Sequence, residues 1–159
     1  MISRAVIAMV AALAVAPVSA QDLAGQATII DGDTLEIHGR RVRLHGIDAP
    51  ESSQVCEDDS KRDVPCGRQA AFFLADLIGR RTVTCTQTGT DRYQRIVARC
   101  RVGEQDIGET MVKAGHALAY RRYSTEYVAA ENAARASGVG MWRYDFLPPW
   151  EWRALEKLR

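Results

Sequence analysis

The sequence predicts an α+β domain, and three observations predict it. Polar and apolar residues alternate over 34–38 and again over 41–47, the period of half-buried strands. Ala70, Phe73, Leu74, Leu77 and Ile78 recur at helical spacing. Gly39, Gly79, Gly115 and Gly138 fall where these patterns stop.

Met1-Ile2-Ser3-Arg4 carries one positive charge and is followed by an apolar run to Val18 and the small residues Val18-Ser19-Ala20. This pattern predicts a secretory signal cleaved after Ala20 and a protein that is secreted or periplasmic. The run is short of the roughly 20 apolar residues of a membrane span, so no span is expected after cleavage. Residues 21–159 then form one domain, with a core over 27–142 and a C-terminal extension over 143–159. The 159 residues include 21 Lys and Arg against 20 Asp and Glu. Arg4 is the only charged residue of the leader, so the remainder is balanced. Total charge therefore does not announce a polyanionic partner; a local patch or a bound metal would have to attract one.

In the expected mature chain, residues 27–30 are rich in strand formers. Asp31-Gly32-Asp33 is a turn signal. Residues 34–38 form a strand, Gly39-Arg40 a tight turn, and 41–47 a second strand. Val42 and Leu44 share one face of it, Arg43 and His45 the other. Together these make an antiparallel meander. Residues 52–63 are polar and aperiodic, a loop. Pro65 suits a first helical turn, and the helix runs from Cys66 to Ile78, ended by Gly79. Strands follow over 82–88 and 94–102, around a turn region at 89–91, with Ile96, Ala98 and Cys100 on one face. A hairpin symmetric about Arg92 and Tyr93 sets position 85 opposite 100.

Residues 106–113 form a helix with Ile107, Met111 and Ala114 inward, stopped by Gly115. Arg121-Arg122-Tyr123 is an exposed link. Ser124 or Thr125 caps a helix to about 136, stopped by Gly138. Trp142 is expected in the core, and 150–158 form a short helix after Pro148-Pro149. This order fits a five-stranded Greek-key barrel of the OB type with about three packed α-helices.

Four cysteines, an even count in an exported chain, favour disulfides. Of the three pairings, we expect Cys85–Cys100 across the hairpin and Cys56–Cys66 closing the polar loop. No CxxC pair or HxxxH spacing supports zinc.

Asp33 and Asp48-x-x-Glu51 bracket the strand that carries Arg43, and Arg95 arrives in Asp91-Arg92-Tyr93-Gln94-Arg95. Carboxylates suit a hard cation. Guanidinium forks match two phosphate oxygens. These are the parts of a phosphodiester-cleaving site, although Asp33 alone would read as a turn former. The segments Asp31-Gly32-Asp33-Thr34, Arg43-Leu44-x-Gly46-Ile47-Asp48-Ala49-Pro50-Glu51 and Asp91-Arg92-Tyr93-x-Arg95 resemble, in order, the three signatures of the staphylococcal nuclease family. Gly115-x-Ala117 and Trp142 extend the resemblance.

The resemblance implies a monomeric OB-fold nuclease that uses Ca²⁺ to hydrolyse single-stranded DNA and RNA to 3′-phosphate products. Asp33 and Asp48 would be side-chain ligands and Ala49 a ligand through its backbone carbonyl. The family's best-known member has threonine there, a change to which a carbonyl is indifferent. Arg43 and Arg95 would stabilise the phosphoryl group, and Glu51 would be the base on the attacking water. Arg92, Tyr93, Tyr120 and Tyr123 match nucleotide-contacting positions. His38, His45 and His116 receive no role. A second class, a catalytically weak OB barrel that binds nucleic acid or oligosaccharide, would be expected to lack an acid or an arginine of the set; none is missing here.

Overall fold

The computed structural model describes residues 22–158; the signal expected at 1–20 lies outside them. Strands β1 (Asp22–Gly25), β2 (Ala27–Ile29), β3 (Thr34–Ile37), β4 (Arg40–Leu44) and β5 (Ile47–Asp48) come first. A small hairpin, β6 (Cys56–Glu57) and β7 (Asp63–Val64), precedes helix α1 (Cys66–Ile78). Strands β8 (Val83–Thr90), β9 (Ile96–Val102) and β10 (Gln105–Asp106) lead into α2 (Ile107–Lys113). The chain closes with β11 (Leu118–Ala119), α3 (Val128–Ser137), a 3₁₀ turn (Gly140–Arg143) and α4 (Pro149–Glu156).

The alternating segments put Leu35, Ile37, Val42 and Leu44 inside. With Val83, Cys85, Ala98 and Cys100 from β8 and β9 they fill one core, capped by Ala70, Leu74 and Ile78 of α1 and by Ile107 and Met111 of α2. The main sheet runs β1-β8-β9-β4-β3-β2, with β10 beside β9, and curls into a nearly closed OB-type barrel. Its β4–β9 pairing is parallel; the others are antiparallel. That single parallel contact matters for function: it sets Arg43 across from Val97, two residues beyond Arg95.

The symmetric hairpin places Cys85 opposite Cys100 as expected, and both predicted disulfides are formed. Several boundaries differ. Strand β8 continues to Thr90 through an irregularity between Gln87 and Gly89, and β9 starts at Ile96 because Gln94 takes a positive φ of 64°. The loop expected over 52–63 contains the β6–β7 ladder, held shut by Cys56–Cys66. Helix α3 begins at Val128, without a side-chain cap. Ser124 Oγ instead accepts the Glu126 N–H, and Tyr127, buried in the core, donates its hydroxyl to Asp106. Strand β1, not foreseen, pairs with β8; its four residues carry too little periodicity to signal themselves.

Four α-helices are described. Trp142 is only half-buried and belongs to a second cluster with Cys56, Cys66, Leu118, Met141, Phe146 and Trp150. This cluster fastens the C-terminal extension to the disulfide-closed loop. Among the described residues no helix is long and apolar enough to cross a membrane.

Candidate active site

The turn before β3 divides its two aspartates between two tasks. Asp31 accepts the Asp33 N–H at 3.0 Å and shapes the turn. Asp33 is thereby turned inward and is 3% exposed. A Cβ on Gly32 would stand 2.7 Å from Ala49 and 2.8 Å from Ala70, so only glycine lets the turn pass between them. One oxygen of Asp33 accepts the Thr34 hydroxyl at 2.9 Å and Arg43 Nη1 at 2.8 Å. The other accepts the Ala49 N–H at 3.1 Å. Burial pushes the Asp33 carboxyl above the ordinary aspartate range, against the pull of Arg43.

Arg43 stands on β4 across from Thr34. Its second nitrogen, Nη2, donates to Asp48 Oδ1 at 2.8 Å. One guanidinium thus bridges two acids, one in the turn before β3 and one at the end of β5. Burial disfavours its charge, but the Asp33 and Asp48 carboxylates outweigh that and hold the cation more firmly than usual. Asp48, at the end of β5 and paired with Leu118 of β11, is fully buried. Glu51 follows Pro50 at the rim, with its side chain 37% exposed. Its loop is tied down by Gln54, a buried residue to which the sequence reading assigned nothing. Gln54 Oε1 accepts the Glu51 N–H, and Gln54 Nε2 donates to the Leu147 carbonyl at 2.7 Å. A Cβ on Gly67 would fall 1.7 Å from the Glu51 carbonyl oxygen, so α1 approaches this loop only through glycine.

The β8–β9 turn presents Arg95. Asp91 accepts the Tyr93 and Arg95 backbone N–H groups at 2.9 and 3.0 Å, and Arg95 Nε at 2.7 Å. These bonds hold the Asp91 carboxyl below its ordinary value despite partial desolvation. The ring of Tyr93, 63% exposed, lies 4.8 Å from the Arg92 guanidinium and 5.6 Å from that of Arg95. Tyr120 packs edge-on to Tyr123 at 5.1 Å and stacks on Trp150 at 5.7 Å.

These residues share one cleft of about 1110 Å³. Arg43, Glu51, Arg92, Tyr93, Arg95, Tyr120 and Tyr123 all line it. Asp33, Asp48 and Ala49 do not; they lie beneath its floor, behind Arg43. Of the cleft residues that the sequence did not single out, Arg153 makes the most direct contact with the acids. Arg153 of α4 donates to both oxygens of Asp48, at 3.0 and 2.7 Å, and to Glu51 Oε1 at 2.8 Å. Burial works against its charge, and the bonds to Asp48 and Glu51 more than offset that. Nothing local marks it, since 105 residues separate it from Asp48. Among the described residues no three His, Cys, Asp or Glu side chains converge on a point open to a cation. The Arg43 guanidinium stands between Asp33 and Asp48, and that of Arg153 between Asp48 and Glu51.

Chemically, the cleft offers guanidinium donors for phosphate oxygens, a carboxylate at the rim and exposed aromatic faces for bases. Residues 41–144 match the family model described as staphylococcal nuclease homologue. The succinoglycan biosynthesis protein ExoI of Rhizobium meliloti is 39% identical, across 79% of this chain and 67% of its own. An uncharacterized endonuclease of Haemophilus influenzae is 38% identical, across 82% and 72%. A micrococcal nuclease of Shigella flexneri is 33% identical, across 97% and 93%. With the barrel, the cleft and these likenesses together, the chain belongs to the staphylococcal nuclease family and is a nuclease acting on nucleic acid.

Proposed function

We propose that this nuclease is an exported, calcium-dependent, monomeric phosphodiesterase that cuts single-stranded DNA and RNA and leaves 3′-phosphate ends. The observation that carries the proposal is the meeting of Arg43, Glu51 and Arg95 on one cleft above the buried pair Asp33 and Asp48. The donor set suits calcium. It is all oxygen, and its buried carboxylates are held by charge-assisted bonds. Asp33, Asp48 and Glu51 carry three formal negative charges, of which Arg43 and Arg153 compensate two, so the site keeps a net negative charge that favours a cation. Asp33, Asp48 and the Ala49 carbonyl would hold it, and when bound it would polarise a phosphoryl oxygen.

The protein's own groups do the rest. Arg43 and Arg95 bind the equatorial phosphate oxygens and favour the charge that gathers there in the transition state. Glu51 orients the attacking water and accepts its proton. The P–O5′ bond breaks as the new P–O bond forms, so phosphate stays on the 3′ side. Arg92, Tyr93, Tyr120 and Tyr123 stack on and contact the bases with little sequence preference. Export agrees with the leader over 1–20 and with the two disulfides.

The test is to incubate the oxidised protein with single-stranded DNA and calcium, with and without chelator, and to analyse the ends produced. Cleavage to 3′-phosphates that stops in chelator is expected. Degradation unchanged by chelator refutes the role of calcium, and bound but uncut DNA refutes the catalytic assignment.

A further inference from the structure

We propose that helix α4 forms one wall of a flanking-nucleotide subsite, in which Trp152 stacks on an unpaired base beside the cut and Arg122 and Lys157 hold neighbouring phosphates. The proposal deepens the single-strand reading above and rests on it, not on calcium. Trp152, Arg153, Glu156 and Lys157 all line the cleft. Their spacing puts them on one helical face, and Lys157 prolongs that face because the backbone stays helical at the C-cap. Arg153 bonds to Asp48 and Glu51, and Trp150 stacks on Tyr120, so the face is fixed beside the acids.

The hydrophobic core does not account for Trp152. Trp142 and Trp150 belong to the second apolar cluster. Among the described residues Trp152 joins neither cluster and stacks on no ring. A large aromatic face kept at the edge of a cleft suits stacking on a base of any sequence. Arg122 and Lys157 are exposed on the same cleft. The chain as a whole is nearly balanced in charge, yet seven Arg and Lys line this cleft against four Asp and Glu. Counting Asp33 and Asp48 beneath the floor leaves the balance positive. The local patch that attracts a polyanion therefore lies here. The volume of about 1110 Å³ also exceeds the ~300–1,000 Å³ of a pocket for one small ligand. It leaves room for nucleotides beyond the one at Arg43 and Arg95.

The experiment is binding of the oxidised full chain, in chelator, to a fluorescein-labelled phosphorothioate single strand that resists cutting. A length of about ten nucleotides falls within the site size of one OB barrel, and anisotropy is read at several salt concentrations. Trp152→Ala should weaken binding roughly tenfold or more, and Trp152→Phe should retain most of it. Emission of Trp152, taken as wild type minus Trp152→Phe, should be quenched by the strand. Trp152→Ala binding as wild type, Trp152→Phe binding as weakly as Trp152→Ala, or unquenched emission overturns the stacking. Lys157 is exposed at the helix end, so Lys157→Gln probes the wall without disturbing α4. It should make the slope of log affinity against log salt shallower by about 0.7, and an unchanged slope overturns the phosphate contact. No binding by the wild type even at low salt overturns the subsite as a whole. A duplex bound by the wild type as tightly as the strand refutes the single-strand reading instead.

Discussion

Arg43 and Arg95 should separate when each is replaced by alanine, because one is the counter-charge of a buried pair and the other is not. Removing one partner of a buried ion pair costs about 3–5 kcal/mol. Both acids at Arg43 keep other donors, Thr34 and Ala49 on Asp33 and Arg153 on Asp48. We therefore expect the lower end, about 3 kcal/mol, for Arg43→Ala. Arg95 and Asp91 are 25% and 18% exposed, and Asp91 retains two backbone donors. Arg95→Ala should cost no more than about 1 kcal/mol, as other near-surface pairs do. Both variants should lose about 10²-fold or more in kcat, the scale for removing one electrostatic stabiliser. Urea unfolding in chelator, followed by tryptophan fluorescence, reads the first quantity; cleavage of single-stranded DNA in calcium reads the second. Equal stability losses would refute the bridging role of Arg43. Wild-type kcat in either variant would refute its place at the phosphate.

Glu51→Gln should lower kcat by about 10²–10⁴-fold with little change in KM; a raised KM at unchanged kcat would make Glu51 a binding residue only. Replacing Cys85 and Cys100 together by serine should cost about 3 kcal/mol from their sequence separation of 15, and an unchanged urea midpoint would contradict this. His116, stacked on Phe73 at 4.4 Å, is held below its ordinary pKa, first by burial and then by Arg143. The unfolded chain therefore binds the proton more readily, so the contribution of neutral His116 is complete above about pH 6.5 and is lost as pH falls below that value. His116→Phe keeps the stacking and cannot titrate. Between about pH 7.5 and 5.5 its urea midpoint should fall less than that of wild type, and equal falls would remove His116 from the acid sensitivity.

Much of the fold was legible because its signals are local. The helix from Cys66 to Ile78 has a clear apolar stripe and a stop at Gly79. The opposition of Cys85 and Cys100 followed from the symmetry of one hairpin. Strand β1 and the β5–β11 pairing were not legible, since two to four residues acquire their strand character only from a distant partner. The start of α3 was displaced by a competition that sequence does not rank. Ser124 closes its own short turn, and Tyr127 is drawn into the core. At the site, Asp31 and Asp33 are indistinguishable as letters. Only the packing of Gly32 between Ala49 and Ala70 sends one to the turn and the other beneath the cleft.

By itself, the sequence determined which chemistry the protein can perform: its acids, guanidinium groups and aromatic rings, and the order in which strands and helices deliver them. Tertiary structure alone decided that Asp33 and Asp48 are buried under Arg43 while Glu51 and Arg95 face the cleft, and that Arg153 reaches back to Asp48 across 105 residues. The physical reason is one of range. Periodicity and turn chemistry act over a few residues, whereas the partner of a charge is chosen by the path of the chain around the barrel and by the cost of leaving that charge buried without compensation.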